Sequence, residues 1–328
     1  MLTQEEIVKN WKGNIKKPLV SICTPTYNHE RFIEEALKSF LMQKTSFPFE
    51  VIVRDDYSSD NTRKIIKQYA EKYPLIIKPV YEKENQYKKG IKPIPATCKY
   101  AKGKYIAICE GDDYWIDENK LSIQIKLMQK FDVNISFHPA IKLCKWNKKK
   151  ITGKRSHKTC IIPFKKVLLG GGSFMPTASI IVKRECFLSL PKWVKNFVHA
   201  EDYYLQVLFS YPKGALYINK IMSVYRRDTN TCWSARKDTN AKMFLDITHK
   251  ALKSLDLLDK ELNYKYTREI KIRKIEYLKR LMRANHINIE DKRIFFNKYE
   301  KILPLKYKVQ WHFIYRNPLL GDLIYKFK

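Results

Sequence analysis

The sequence predicts an α/β protein with a mostly parallel β-sheet, helices on both faces of that sheet, and a basic helical region after it. Three observations indicate this architecture. Between about residues 18 and 236, apolar runs rich in β-branched residues alternate with amphipathic segments, as strands and helices do in a parallel sheet. Polar and acidic residues directly follow several of the apolar runs. From 237 to 328, Leu, Ile and Tyr recur at three- and four-residue spacing among many Lys and Arg, which is typical of amphipathic helices.

The elements of the domain at 18–236 follow a polar N-terminal arm at 1–17. In the first expected helix, Ile33 and Leu37 lie four positions apart and therefore on one face. Residues 145–160 are dense in Lys and are expected to form a mobile basic loop. The expected strands are 19–24, 49–53, 75–81, 105–109, 135–138, 175–182, 215–218 and 223–225. The expected helices are 30–43, 61–72, 96–101, 117–131, 203–210, 240–259 and 265–284.

Composition and charge narrow the class of protein. The chain has 328 residues, of which 45% are hydrophobic, so it can bury a substantial core. It has 64 Lys and Arg against 33 Asp and Glu, a net charge of +31. Such an excess favours a polyanionic partner, namely nucleic acid, an anionic membrane surface or a phosphorylated substrate, although a lysine-rich composition without a specific partner stays open. The seven cysteines show no paired spacing, which indicates a reducing compartment and argues against structural zinc.

Segments that could target the protein to a membrane or across it bear on its cellular location. The N-terminal residues lack the basic and apolar segments of a signal peptide, and no run of 18 uncharged apolar residues occurs. We therefore expect a cytoplasmic protein, or one that is peripheral on the cytoplasmic face of the inner membrane. The segment 311–328 mixes aromatic, aliphatic and basic residues, so it fits a membrane interface and a helix packed on the protein about equally well.

Two pairs of adjacent aspartates suggest a ligand site. Asp112 and Asp113 follow the apolar run 105–109 after Glu110 and Gly111, and Asp55 and Asp56 follow the run 49–53. In open α/β sheets, ligands bind beyond the carboxyl ends of the strands. Adjacent carboxylates there suit a divalent metal ion that carries a phosphorylated ligand. The alternative is that each pair caps the helix that follows it.

Several segments together resemble family 2 glycosyltransferases of the GT-A fold, a Rossmann-like architecture. Three segments of this chain resemble the three early motifs of the family. They are Val20-Ser-Ile-Cys-Thr-Pro-Thr-Tyr-Asn28, Val51-Ile-Val-Arg-Asp-Asp-Tyr-Ser-Ser-Asp-Asn-Thr62 and Ala101-Lys-Gly-Lys-Tyr-Ile-Ala-Ile-Cys-Glu-Gly-Asp-Asp-Tyr-Trp115. The later landmarks of bacterial members resemble Gly171–Ser179, Glu201-Asp202 and Ile221–Arg226. The resemblance covers about residues 18–235, in the expected order, and leaves the helical region outside it.

The resemblance implies roles for individual residues. It places the nucleotide-sugar contacts at Thr24, Thr26, Tyr27, Asp55, Asp56, Asp112, Arg226 and Arg227. Within that set, Asp56 would accept the N3–H of uracil, Tyr27 would stack on the base, and Asp112 would contact the ribose or sugar. Asp113 matches the metal ligand, and Asp202 matches the catalytic base, with Glu201 as the fallback. Many relatives have a histidine after the last motif where this chain has Arg227 and Asp228, so either Asp228 acts as a metal ligand or the two arginines bind the diphosphate.

The function implied is an inverting, metal-dependent glycosyltransferase of the hexosyltransferase type. The donor would be a nucleotide-sugar, with UDP-sugar preferred, and the cofactor Mn²⁺ or Mg²⁺. The acceptor would be a saccharide or lipid-linked hydroxyl in lipopolysaccharide or capsule synthesis, and the basic helical region would associate with anionic membrane. No nucleic acid is expected as a partner. The alternatives are a basic protein that binds nucleic acid, which leaves the strand-end aspartates unexplained, and an inactive GT-A scaffold subunit.

Overall fold

The computed structural model describes residues 2–144, 148–196, 198, 201–227 and 240–316. The chain divides into two compact units, one made of Met1–Asn196 with Ala200–Asn230 and the other of Phe197–His199 with Thr231–Lys328. The predicted boundary near 236 falls outside the described residues and stays a prediction. The strands are β1 (Val20–Thr26), β2 (Phe49–Asp55), β3 (Ile77–Tyr81), β4 (Tyr105–Ile108), β5 (Tyr114–Trp115), β6 (Ile135–Phe137), β7 (Ala140–Cys144), β8 (Lys148–Thr152), β9 (Cys160–Ile162), β10 (Ile181–Lys183), β11 (Ala215–Tyr217) and β12 (Ser223–Arg226). The helices are α1 (Gln4–Val8), α2 (Ile33–Leu41), α3 (Thr62–Lys72), α4 (Pro93–Cys98), α5 (Lys120–Phe131), α6 (Phe164–Gly170), α7 (Arg184–Leu188), α8 (Lys192–Asn196), α9 (Glu201–Ser210), α10 (Ala241–Glu261), α11 (Thr267–Arg283), α12 (Ile289–Tyr299) and α13 (Leu305–Arg316).

An eight-stranded sheet in the order β3-β2-β1-β4-β10-β6-β11-β9 forms the centre of the first unit. The pairs among β3, β2, β1 and β4 are parallel, as is the β6–β11 pair. Strand β10 is antiparallel to both of its neighbours, and β9 is antiparallel to β11. The predicted mostly parallel sheet is therefore confirmed. Because β1, β2 and β4 run in the same direction, the residues that follow them meet at one edge.

The core of the first unit forms around β1 and β2. Every residue of these two strands is buried, as expected of parallel strands covered on both faces. Helix α2 buries an apolar face that includes Ile33, Leu37 and Phe40. The arm at 1–17 contains α1, whose Thr3 and Glu6 form a capping box at its N-terminus.

A second sheet has the order β5-β12-β7-β8 and corrects one expectation from the sequence. Residues 145–160 were expected to form a mobile loop, but Lys148–Thr152 is a strand antiparallel to β7. Its lysines at 148–150 are exposed. Backbone pairing thus holds this segment in place while the charged side chains stay in solvent. The part at 145–147 lies outside the described residues.

Two further expectations from the sequence differ in detail. The run 175–182 was expected to be one strand, yet a 3-10 turn at Thr177–Ser179 precedes the short strand β10. Helix α4 begins at Pro93, three residues before the expected start, since proline suits the first turn of a helix. The described cysteines are all free, and Cys232 lies outside the described residues.

The second unit is helical, as predicted. Helices α10 to α13 surround a small core that includes Leu252, Leu278, Phe296 and Trp311. Phe296 and Trp311 stack with ring centroids 4.7 Å apart. Within the described parts of the chain, no helix combines the length and apolarity that a bilayer crossing requires. Of the segment 311–328, α13 covers residues up to Arg316, and the rest lies outside the described residues.

Candidate active site

Strands β1 and β2 end side by side and bring the first candidate residues together. Thr26 pairs in register with Asp55, and the Thr26 carbonyl accepts a hydrogen bond of 2.9 Å from the Asp56 amide. The hydroxyl oxygens of Thr24 and Thr26 are buried and have no hydrogen-bond partner. Tyr27, which follows directly, is 36% exposed. This edge of the sheet therefore offers an aromatic ring on which a planar base can stack.

The Asp56 carboxylate is buried and is held by three donors from the protein. Its Oδ1 accepts hydrogen bonds from Arg54 Nη2 at 2.9 Å and from the Gln86 amide at 3.1 Å. Its Oδ2 accepts a hydrogen bond from the Tyr87 amide at 3.0 Å. Arg54 also donates to Glu82 at 2.7 Å. Because a carboxylate accepts about four hydrogen bonds, about one acceptor position of Asp56 is left for a ligand.

Asp55 faces the interior of the protein. Its side chain is fully buried, and Oδ2 accepts hydrogen bonds from Arg63 Nε at 2.9 Å and from the Ser58 amide at 3.3 Å. The Arg63 guanidinium lies 5.7 Å and 5.2 Å from the ring centroids of Tyr57 and Tyr81. These contacts give Asp55 a role in holding the loop that follows β2.

The acidic loop, Glu110–Asp113, follows β4 and crosses the end of β1. A Cβ atom at Gly111 would lie 2.7 Å from Thr26 Oγ1 and 2.9 Å from His29 Nδ1, so only glycine allows this close approach. His29 Nε2 lies 4.0 Å from Asp112 Oδ2. The acidic loop and the end of β1 therefore form one continuous site.

Burial and mutual repulsion disfavour ionisation of the carboxyls in the acidic loop. Burial is the main cause that raises the pKa of Asp113 well above its usual value, and repulsion from Asp112 and Glu110 adds to it. Burial also raises the pKa of Glu110 to about 8. The carboxylates of Asp112, Glu201 and Asp202 contribute to that rise. Glu201 and Asp202, at the start of α9, therefore lie close enough to the acidic loop to act on it electrostatically.

Asp113 is the residue that best fits a bound cation. Its Oδ1 accepts a hydrogen bond from the Arg226 amide at 2.8 Å, while its Oδ2 is buried without a partner. A divalent cation would satisfy that oxygen and would favour the ionised form of the neighbouring carboxyls. Among the described residues, no three His, Cys, Asp or Glu side chains form a complete metal site. Asp228, the second ligand expected from the sequence, lies outside the described residues.

The Arg226 side chain contacts the acidic loop and two residues beside it. Its Nη1 donates to the Asp112 carbonyl at 2.6 Å, and its guanidinium lies 4.4 Å from the ring centroid of Tyr114. It also forms an ion pair with Glu35. Arg227 is exposed to solvent. Other residues of the protein therefore bind the Arg226 guanidinium, whereas the Arg227 side chain is exposed.

Asp202 and Glu201 contact different parts of the site. A Cβ atom at Gly172 would lie 2.5 Å from Asp202 Oδ2, so the carboxylate lies directly against this glycine. Asp202 and Thr177 line the same small cavity. Glu201 Oε1 accepts a hydrogen bond from the Ile94 amide at 3.4 Å, and its Oε2 is buried without a partner. Burial raises the pKa of Glu201 to about 7, so Glu201 is a candidate proton acceptor near neutral pH.

Comparison with known proteins identifies the family. The family model described as "Glycosyl transferase family 2" matches residues 21–187, about half of the chain. The chain belongs to glycosyl transferase family 2. The matched segment contains the ends of β1 and β2 and the whole acidic loop. The chain is therefore a glycosyltransferase, as the sequence predicted.

Curated proteins and a solved structure are similar to this chain. The uncharacterized protein Rv1520 of Mycobacterium tuberculosis is 30% identical over 73% of this chain and 67% of its own length. The UDP-Glc:alpha-D-GlcNAc-diphosphoundecaprenol beta-1,3-glucosyltransferase WfgD of Escherichia coli is 34% identical over 57% of this chain and 68% of its own length. The crystal structure of Staphylococcus aureus TarS 1–349 in complex with UDP-GlcNAc has a TM-score of 0.57 at 15% identity and covers 92% of both chains. This likeness shows the fold, and the predicted GT-A architecture is confirmed.

Within this family 2 fold, sequence reasoning missed three residues near the site. Glu110 precedes the aspartate pair but was not predicted as a site residue, although burial raises its pKa to about 8. His29 approaches Asp112, and its only signal was its position after the first motif. Lys120 at the start of α5 is fully buried, with Nζ 4.1 Å from the ring centroid of Trp115 and no hydrogen-bond partner. A charged residue at a helix start normally indicates an exposed position, so the sequence carried no signal for this one.

Proposed function

We propose that this family 2 glycosyltransferase transfers a sugar from a UDP-sugar, with inversion at the anomeric carbon, to a hydroxyl of a saccharide or lipid-linked acceptor. The product would be a bacterial surface polysaccharide such as lipopolysaccharide or capsule. The observation that carries this proposal is that Asp202 lines one small cavity together with Ile108, the residue that ends β4 just before the acidic loop. It brings the donor-side carboxylates and the candidate base into one site, as a direct displacement requires.

The donor side rests on the ends of β1 and β2. Tyr27 offers an exposed ring for stacking on the base, and Asp56 retains about one acceptor position, suited to the single N3–H donor of uracil. The three protein donors on Asp56 fix its orientation before the nucleotide binds. WfgD is named for the donor UDP-Glc, and the TarS structure is a complex with UDP-GlcNAc, which supports a uridine donor for this chain.

A divalent metal ion, Mn²⁺ or Mg²⁺, is part of the proposal, with Asp113 as its ligand. When bound, such an ion neutralises the charge that develops on the diphosphate leaving group. The unpartnered Oδ2 of Asp113 is the oxygen available to it. Asp112, on the same loop and about 20% exposed, would orient the ribose or the sugar, and Arg227 would contribute positive charge at the diphosphate.

Asp202 would act as the general base. Its carboxylate accepts the proton of the acceptor hydroxyl while that oxygen forms the new bond to the anomeric carbon and the bond to UDP breaks on the opposite face. Gly172 leaves the space that this carboxylate occupies. Glu201 stays the second candidate, because burial raises its pKa to about 7 and its Oε2 is buried without a partner.

We also propose a peripheral position on anionic membrane through the second unit. Leu305 and Val309 lie one turn apart on α13 and are 75% and 59% exposed. Lys301 and Lys306 are exposed near them. Exposed aliphatic side chains beside lysines suit a membrane interface that contains anionic lipid. WfgD is named for a diphosphoundecaprenol-linked acceptor, which supports a lipid-linked acceptor here.

A nucleotide-binding panel tests the donor and the metal together. Because a ligand that binds the native state raises the melting temperature, we expect UDP with Mn²⁺ to stabilise the protein more than GDP or CMP with Mn²⁺. Asp113→Asn should remove most of the Mn²⁺-dependent part of the shift. An equal response to all nucleotides, or a shift that ignores both Mn²⁺ and Asp113, would contradict the proposed donor site. Binding of UDP without turnover of any UDP-sugar would favour the inactive scaffold.

A further inference from the structure

A cationic cavity lies at the opposite edge of the central sheet from the candidate active site. It has a volume of about 730 Å³, which is within the usual range for ligand pockets. Six basic and two acidic residues line it. The basic residues are Lys16, Lys17, Lys102, Lys104, Lys183 and Arg184. The net charge of its lining is therefore +4.

The position of the cavity follows from the direction of the strands. Lys16 and Lys17, the N-terminal lysines, come just before β1, and Lys102 and Lys104, the loop lysines, come just before β4. The candidate active site follows the other end of the same two strands. Since β1 has seven residues and a strand rises about 3.3 Å per residue, the cavity lies roughly 20 Å from the donor side. It is therefore not part of the site described above.

The acidic residues of the cavity leave most of its positive charge uncompensated. Asp132 forms ion pairs with Lys183 at 3.1 Å and with Lys213. These two lysines hold the pKa of Asp132 at about 2, so its single charge is shared between two cations. The ion pairs of the described residues include none with the N-terminal lysines or the loop lysines. Four lysines that form no ion pair with a described carboxylate thus line one cavity.

The backbone around the cavity is held by bonds that do not involve these ammonium groups. The Lys102 amide donates to Glu50 Oε1 at 2.8 Å, and the Gly103 amide donates to Ser21 Oγ at 2.8 Å. The Arg184 amide donates to the Lys104 carbonyl at 2.8 Å. The side chains of the loop lysines are exposed. They are therefore free to bind a ligand, and replacing them should leave the local fold intact.

We propose that this cavity is a second binding site, for a phosphate-bearing anion with several negative charges. Lysine ammonium groups bind phosphate oxygens as point charges, and several of them around one cavity favour a ligand with more than one charge. The cavity is larger than a single phosphate requires, so a phosphorylated sugar or a phospholipid headgroup fits the same chemistry. Leu188, 70% exposed at the rim, offers an apolar contact for either.

The test compares two double variants of the 328-residue chain. Lys102→Glu with Lys104→Glu reverses two charges in the cavity, and Lys149→Glu with Lys150→Glu makes the same charge change on the exposed strand β8. Binding of inorganic pyrophosphate is measured by calorimetry without divalent metal, and binding to vesicles that contain phosphatidylglycerol is measured by cosedimentation. Melting temperature and release of UDP from the donor should be unchanged in both variants, which shows that they are folded.

The cavity variant should weaken binding by about tenfold or more, because each lost hydrogen bond to a charged group contributes that much. The β8 variant should weaken it less than about threefold. Loss of pyrophosphate binding identifies a free phosphate compound as the ligand, whereas loss of vesicle binding alone identifies a lipid headgroup. Equal weakening in both variants would show a diffuse effect of the net charge and would overturn the proposal. So would the absence of binding to both probes in the unaltered protein.

Discussion

Gly172→Ala is expected to slow sugar transfer by about 100-fold while donor binding changes little. An alanine Cβ would lie 2.5 Å from Asp202 Oδ2 and 3.0 Å from Asp202 Cγ. Since non-bonded carbon atoms pack at about 3.5 Å or more, the carboxylate would have to move by about 1 Å. A displacement of that size can cost about 100-fold in rate, or about 3 kcal/mol of transition-state stabilisation. The backbone of Gly172 lies outside the left-handed region, so alanine is sterically allowed there apart from this contact.

The assay is release of UDP from the donor at saturating donor concentration, together with the donor KM. Ser173→Ala, at an exposed position in the same turn, is the matched control and should retain activity. In an Asp202→Asn background, Gly172→Ala should change the rate by less than about threefold, because both changes act on one carboxylate. The reasoning is refuted if Gly172→Ala retains the full rate, or if it lowers the rate by the same factor in both backgrounds.

Three further predictions concern Lys120, Gly111 and helix α13. Burial lowers the pKa of Lys120 from 10.5 to about 7, so between pH 7 and 10.5 the unfolded state binds more protons and stability rises with pH. Lys120→Met should therefore raise the free energy of unfolding, by at most roughly 5 kcal/mol at pH 6, and the melting temperature should rise with it. This gain should shrink towards pH 10. A gain that does not depend on pH would contradict a buried, charged Lys120. Gly111→Ala should weaken UDP binding at least about tenfold, because its Cβ would displace Thr26 or His29, and calorimetry with an unchanged Kd would contradict this. Leu305→Glu with Val309→Glu should reduce vesicle cosedimentation while UDP release from soluble donor is retained, and unchanged cosedimentation would exclude α13 as the membrane contact.

The parts of the fold that the sequence predicted are those in which local pattern and tertiary context agree. Strands β1, β2 and β4 are buried apolar runs that end in polar residues, and both features come from the parallel sheet itself. The same logic predicts from the sequence alone that Thr26, Asp56 and Asp113 lie at one edge of the sheet. The amphipathic helices of the second unit could also be predicted, because their apolar residues recur at the spacing that packs them into one core.

Features that depend on long-range contacts could not be predicted in this way. Strand β8 is polar, and it is a strand because its backbone pairs with β7. Two of the three protein donors to Asp56 come from Gln86 and Tyr87, about thirty residues away, in a segment whose sequence shows no periodic pattern. The contact between Gly172 and Asp202 joins two segments that the motifs located separately. Burial of Lys120 is likewise a property of packing and not of local sequence.

The most direct test of the proposed mechanism is the rate of UDP-sugar turnover in Asp202→Asn, measured beside Glu201→Gln and the unaltered protein. The asparagine keeps the shape of the side chain and removes its capacity to take a proton. Loss of a general base costs about 100- to 10,000-fold, so we expect a fall of that order in Asp202→Asn, with the Kd for UDP within about threefold and with Glu201→Gln substantially active. Full turnover in Asp202→Asn would contradict the account, and if Glu201→Gln were inactive at the same time, the base would be Glu201.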